Sequence, residues 1–330
     1  MKTTKKALAI VLALVFICGA FAACGNKTET KTDTDAKTYK IGIIQLMEHV
    51  ALDAATEGFK QAIIDELGEE NVEFDLQNGQ GDPQTCSTIA NQFVSNNVDL
   101  ILANATPALQ SAAAATADIP ILGTSVTEYG VALELEDFNG TVGGNISGTS
   151  DLAPLDKQAA MIIEWCPDAK TVGLLYCSKE ANSQYQVDVV KAELEKAGLT
   201  ATLYPFSDSN DLAQVCTTAA DNSDVIYVPT DNTVAENTGI IDNICEPKKI
   251  PVIAGEEGIC SGCGIATLSI SYYDLGYTTG KMAVKILRDG EDISTMPIGY
   301  AETQTPKYNK QNCEAIGITP LEGYTAIEAE

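Results

Sequence analysis

The residues able to do chemistry in this sequence stand in short polar clusters, each placed just after an aliphatic run. Gln45, Met47, Glu48 and His49 follow the first run, with Asp53 close behind; Asn104-Ala105-Thr106-Pro107-Ala108 follows the third and Thr124-Ser125-Val126-Thr127 the fourth. Thr106 is placed to cap a helix, and hydroxyls that converge with free backbone N–H groups make a socket for a carboxylate. Further along, Glu180-Ala181-Asn182-Ser183, Thr230-Asp231-Asn232-Thr233 and Gly255-Glu256-Glu257 end later runs. Asp231 and Glu256 could pair with an ammonium group; the plainer expectation is a helix cap for Asp231 and a solvated loop charge for Glu256. Tyr272 and Tyr273 open a long helical stretch, where a ring could stack on a flat ligand.

Catalytic patterns are missing. The chain holds no G-x-S-x-G, no H-E-x-x-H and no dinucleotide fingerprint. Gly276-Tyr-Thr-Thr-Gly280-Lys281 looks like a phosphate loop, but it is one residue short, is followed by Met282 and lies in a helical stretch. His49 is the sole histidine and has no serine near it in sequence, so it is expected to line a cleft or start a helix. No catalytic residue, no cofactor and no metal is assigned. Cys260-Ser-Gly-Cys263 is the one close cysteine pair, and without a second pair or a nearby histidine it reads as a short-loop disulfide or two free thiols.

The elements that must position these clusters alternate. Aliphatic runs at 40–46, 72–77, 100–103, 120–123, 171–176, 200–205, 225–229 and 251–254 are separated by amphipathic stretches at 51–67, 84–96, 157–165, 184–197, 212–220 and 233–245, with a further strand at 265–270 and a helix at 272–287. Strand and helix in alternation predict an α/β fold with parallel sheets covered by helices on both faces. The series falls into two similar blocks, and the glycine-rich stretch Gly143-Gly144-Asn145-Ile146-Ser147-Gly148 reads as the crossing between them. The expectation is two doubly wound parallel-sheet lobes joined by a hinge, with 39–147 plus 268–296 forming lobe I and 148–267 plus 297–330 forming lobe II. Ligands of open α/β sheets sit beyond the carboxyl ends of the strands, which is where the polar clusters fall.

The first residues carry Lys2, Lys5 and Lys6, an apolar run, and small residues up to Ala22-Ala23-Cys24. This predicts a lipoprotein signal peptide over 1–23, lipidation at Cys24 and a polar, flexible tether over 24–38. The run is short for a bilayer span. Loss of the three lysines takes the formal charge from −26 to −29. Such acidity excludes a nucleic-acid partner, which would need a basic face.

Taken together, Gln45, His49, Ala51-Leu52-Asp53, Gly58-Phe59, Ala105-Thr106-Pro107-Ala108, Asn145-Ile-Ser-Gly-Thr-Ser150-Asp151, Glu180-Ala-Asn182-Ser183, Pro229-Thr-Asp-Asn-Thr233 and Ser271-Tyr272-Tyr273-Asp274-Leu275-Gly276 resemble the ABC-transporter substrate-binding family that includes tryptophan and tyrosine binders. The resemblance runs from about residue 40 to the end. It implies a type I periplasmic-binding-protein fold, an aromatic amino acid or related small metabolite as ligand, ABC permease and ATPase subunits as partners, a monomer, and an extracytoplasmic location with the membrane reached through the lipid anchor. Ligand roles carry over to Thr106, Ser125, Thr127, Asn182, Asp231 and Tyr273, and further to Gln45, Asp151 and Glu256. In that reading the carboxylate meets Thr106, Ser125 and Thr127, and the ammonium meets Asp231 or Glu256. The alternatives left by the sequence are a ligand-sensing lipoprotein coupled to a membrane receptor, or import of a different amino acid or metabolite.

Overall fold

Burial accounts for the strands. The run Tyr-Lys-Ile-Gly-Ile-Ile-Gln at Tyr39–Gln45 buries its last five residues, and Leu100–Asn104 and Ile121–Val126 are buried throughout. Strands that apolar belong inside parallel sheets covered on both faces. The computed structural model describes residues 37–301 and 303–328. The expected signal peptide, Cys24 and most of the 24–38 tether lie outside the described residues.

The first sheet holds β1 (Tyr39–Gln45), β2 (Val72–Asn78), β3 (Leu100–Asn104), β4 (Ile121–Val126) and β5 (Ile146–Ser150). The second holds β6 (Thr171–Cys177), β7 (Thr200–Phe206), β8 (Val225–Val228), β9 (Val252–Ala254) and β10 (Ala266–Ser269). Late in the chain β11 (Gly299–Tyr300) returns to the first sheet, while β12 (Thr305–Tyr308) and β13 (Thr325–Ala326) return to the second. The orders are β11-β5-β4-β3-β1-β2 and β13-β12-β10-β9-β8-β6-β7. Every pairing is parallel except β10 with β12.

Helices fill both faces of each sheet: α1 (Val50–Leu67), α2 (Pro83–Asn96), α3 (Thr106–Ala115) and α4 (Tyr129–Ala132) in lobe I, then α5 (Leu155–Trp165), α6 (Ala181–Lys196), α7 (Ser209–Asn222), α8 (Asn232–Glu236), α9 (Thr238–Lys248) and α10 (Glu257–Cys263) in lobe II. The long α11 (Tyr272–Leu287) goes back to lobe I and α12 (Lys310–Ile316) to lobe II. Each sheet thus separates two apolar cores, one around Phe93 and one around Phe59 in lobe I, one around Trp165 and one around Leu212 in lobe II.

The lobe boundaries differ from those expected. The break at 147/148 would cut β5, and the second half of the glycine-rich stretch read as the crossing, from Ile146 to Gly148, is this strand. Gly148 is there for contact: a Cβ on it would meet Gly123 O at 2.1 Å, so the two strands could not approach. The chain crosses instead at 151–154, at 270–271 and between Tyr300 and Thr305, so β10 lies wholly in lobe II and β11 in lobe I.

Helices α1 and α11 pack face to face. A Cβ on Gly276 would meet Ala55 O at 1.9 Å, and one on Gly58 would meet Tyr273 O at 2.0 Å. The glycines of the phosphate-loop lookalike therefore serve backbone-close helix packing. This pairing sets the N-termini of α1 and α11, and with them His49 and Tyr272, beside the cleft.

Candidate functional site

The cleft between the lobes closes on a tight cavity of about 10 Å³, room for about one water molecule, and a groove of about 730 Å³ shares His49, Ala51, Ala235, Glu256 and Tyr272 with it. The cavity walls are His49, Ala51, Leu52, Ser125, Thr127 and Asp151 from lobe I and the first crossing, Asn182, Thr230, Asp231, Asn232, Ala235 and Glu256 from lobe II, and Tyr272.

Local structure aims these side chains. The β4–β5 register slips between Gly123 and Val126, and Ser125 takes φ 53, an uncommon value for a residue with a Cβ. Bulges of this kind re-aim side chains beside functional sites, and here Ser125 and Thr127 both turn to the cavity. Ser150 Oγ donates to Thr127 O at 2.7 Å and ties the bulge to the crossing that carries Asp151.

In lobe II a buried carboxylate organises the wall. Glu180 accepts from the N–H and side-chain amide of Asn232 at 3.0 and 2.7 Å and from the N–H and hydroxyl of Thr233 at 2.9 and 2.8 Å. This holds the start of α8 against the start of α6. Across the cleft, His49 Nε2 lies 3.2 Å from Asn232 Oδ1, a direct bridge between the lobes. Burial holds the imidazole pKa below its usual value, against the pull of Asn232 and the nearby Glu180, Asp53 and Glu236.

The three acids of the cavity are not alike. Asp231 caps α8: one oxygen accepts from Val234 N at 2.9 Å and the other from Cys177 N at 2.7 Å. Glu256 caps α10 by accepting from the N–H groups of Gly258 and Ile259. Asp151 caps nothing. Its Oδ2 accepts from Tyr272 OH at 2.9 Å, while its Oδ1 is buried with no hydrogen-bond partner. Burial raises all three, Asp231 to about 8 and Glu256 to about 7; for Asp151 the Tyr272 hydroxyl only partly offsets it. Among the described residues no lysine or arginine lines the cavity.

Among the described residues seven buried side-chain polar atoms lack a partner, and three of them, Ser125 Oγ, Asp151 Oδ1 and Asn182 Oδ1, line this one cavity. Buried polar atoms are nearly always paired, so a cluster of orphans marks a place shaped for a polar ligand.

Of the nine residues expected from sequence, Ser125, Thr127, Asp151, Asn182, Asp231 and Glu256 meet here. Gln45 does not: it accepts from Thr56 and donates to Met47 O and Asp53, locking β1 to α1. Thr106 is buried but off the cavity wall, and it is the first residue of α3, with Ala105 in the capping position at φ 94. Tyr273 is 39% exposed and stacks on Tyr277 in an outer groove, so its neighbour Tyr272 is the ring in the wall. Glu256, expected also as a loop charge, is a buried cap. Asn232, Thr230, Ala51, Leu52 and Ala235 were not singled out as ligand contacts from sequence, although all but Ala235 fall within its polar clusters and motifs. Among the described residues no group of three or more His, Cys, Asp or Glu could hold a metal ion.

A family model for ABC transporter substrate binding protein matches residues 40–326. A tyrosine-binding protein of Clostridioides difficile is 35% identical, over 97% of this chain and 95% of that one. Among solved structures, an ABC domain from Streptococcus pneumonia in complex with L-Trp is 33% identical and superposes with a TM-score of 0.83, covering 88% of this chain and all of the other. The ligand-free, open structure of a substrate-binding protein with adhesive properties from Clostridium difficile is 39% identical, yet its TM-score is 0.68, over 89% of this chain and all of the other. The more identical protein superposes less well, as expected if the lobes here are closed as in a ligand complex and not spread apart.

Proposed function

Since the chain belongs to the ABC transporter substrate binding protein family, with a type I periplasmic-binding fold and a binding rather than an enzymatic role, we propose that it captures a free aromatic amino acid between its lobes for an ABC importer. The observation that carries this reading is the cluster of unpartnered polar atoms in a closed interlobe cavity. The ligand ammonium sits on Asp151, whose free oxygen is the one carboxylate oxygen of the cavity with no backbone or side-chain donor. This replaces Asp231 and Glu256, whose oxygens cap helices. The carboxylate takes the hydroxyls of Ser125 and Thr127, the unpartnered Asn182 Oδ1 is a second acceptor for the ammonium, and the ring lies against Ala51, Leu52, Ala235 and the face of Tyr272.

Closing the cleft without a ligand buries three carboxylates with no counter-cation, which costs energy. An ammonium removes part of that cost only in the closed form. The ligand therefore shifts the hinge equilibrium by its differential affinity for the two arrangements, and a permease with its ATPase reads the closed shape. The named relatives that bind tyrosine and L-Trp support this cargo. In this proposal the protein is an extracytoplasmic monomer held to the membrane through lipidated Cys24.

A thermal-shift screen of residues 37–330 against all amino acids, nucleosides and common sugars tests it. Stabilisation by tyrosine, tryptophan or phenylalanine is expected; stabilisation by a sugar or nucleoside alone would overturn the cargo.

A further inference from the structure

Away from the cavity, three thiols meet in the outer core of lobe II. Cys216 on α7, Cys245 on α9 and Cys263 on α10 share one apolar cluster with Leu212, Ile241 and Val252. Helices α7 and α9 pack against each other, and Cys216 Sγ lies 3.9 Å from Cys245 Sγ. Both residues are buried. Cys263 donates to Ile259 O in its own helix at 3.4 Å, and among the described residues the sulfur–sulfur contact is that of 216 with 245.

We propose that Cys216 and Cys245 are an oxidisable dithiol, closed to a disulfide by a disulfide-bearing oxidant, which staples α7 to α9. One cysteine thiolate attacks the oxidant's S–S bond and releases one thiol; the second attacks the resulting mixed disulfide and releases the other. Two S–H bonds and one S–S bond of the reactants become one Sγ–Sγ bond and two S–H bonds on the reduced oxidant. Closing the remaining gap to the usual roughly 2.05 Å joins two side chains on helices that already touch.

The step belongs to the folding chain. The thiolate is the attacking form, and the hydrogen bond with the Cys216 thiol together with burial pushes the Cys245 pKa far up, which disfavours attack from within the finished core. The two residues are 29 apart in sequence, and closing a loop of that size stabilises the folded state enough to raise Tm by roughly 5–10 °C. The staple lies behind the cavity wall and leaves the ligand contacts untouched.

The test uses the full chain, unfolded and reduced, refolded in glutathione redox buffer, blocked with iodoacetamide and mapped by mass spectrometry. The expected result is a linked pair of peptides carrying Cys216 and Cys245, lighter by two hydrogens than the free pair, and a drop in Tm of roughly 5–10 °C when reductant is added. Complete alkylation of both cysteines after refolding, or a link from either one to Cys263, overturns the proposal.

Discussion

Replacing Asp151 by Asn separates two effects that most binding-site substitutions confound. Asp151 is 4% exposed, and among the described residues no lysine or arginine lines its cavity. Two unit charges about 4 Å apart attract by roughly 4 kcal/mol at an effective dielectric of 20. Removing one member of a buried charge pair costs roughly 2–5 kcal/mol in binding. Asparagine is isosteric and can still accept from Tyr272 OH, so the lower half of that range, about 2–3.5 kcal/mol, applies, and an amino-acid Kd should rise by roughly 30- to 300-fold. The ligand-free protein should move the other way, because a carboxylate that burial disfavours has been made neutral. Calorimetry with L-tyrosine and with 3-(4-hydroxyphenyl)propionate, which lacks the ammonium, completes a cycle: the propionate should bind the wild type weakly and hardly notice D151N. The reasoning is refuted if D151N binds L-tyrosine within about threefold of the wild type, or if it loses affinity for both ligands equally while also losing stability.

Other outcomes follow from the same geometry. Tyr272→Phe removes the donor to Asp151 and should weaken binding by about 1 kcal/mol, whereas Tyr273→Ala, outside the cavity, should change Kd by less than about twofold; the reverse order in calorimetry would return Tyr273 to the site. The raised pKa values of Asp231, Glu256 and Asp151 mean that between about pH 4 and 8 the folded state holds more protons than the unfolded one, so ligand-free stability should fall as pH rises through that window. His49, held low, acts in the opposite direction but is one group against three; a Tm that is flat or rising from pH 5 to 8 contradicts the assignment. Gly276→Ala drives a Cβ into Ala55 O and should cost about 2–3 kcal/mol in urea unfolding, with a midpoint unchanged from the wild type as the contrary result.

The fold was largely legible because its signal is periodic. Buried parallel strands such as β1, β3 and β4 write themselves as aliphatic runs, and each run found in the sequence is a strand. The short strands β11, β12 and β13, of two to four residues, are too brief to carry a period, and β5 was hidden by the glycine it needs to approach Gly123. The site was legible to the level of the loop. Strand ends locate Ser125, Thr127, Asp231 and Glu256, but sequence does not say which oxygens a helix cap will use. Sequence therefore offers Asp231 and Glu256 as ammonium partners, and the choice of Asp151 proposed above rests on its unpartnered oxygen. The Tyr272/Tyr273 choice turns on helical phase: the two rings point about 100° apart, and only packing of α11 on α1 decides which faces inward. The link between His49 and Asn232 joins residues 183 apart and has no local signal at all.

The central claim is that the closed interlobe cavity holds an aromatic amino acid. Isothermal titration of the purified protein with L-tyrosine and L-tryptophan tests it most directly. Saturable binding of one ligand per chain is expected, with a negative heat-capacity change as apolar surface is buried on closure. No heat from either amino acid, with saturation by a sugar or nucleoside instead, would contradict it.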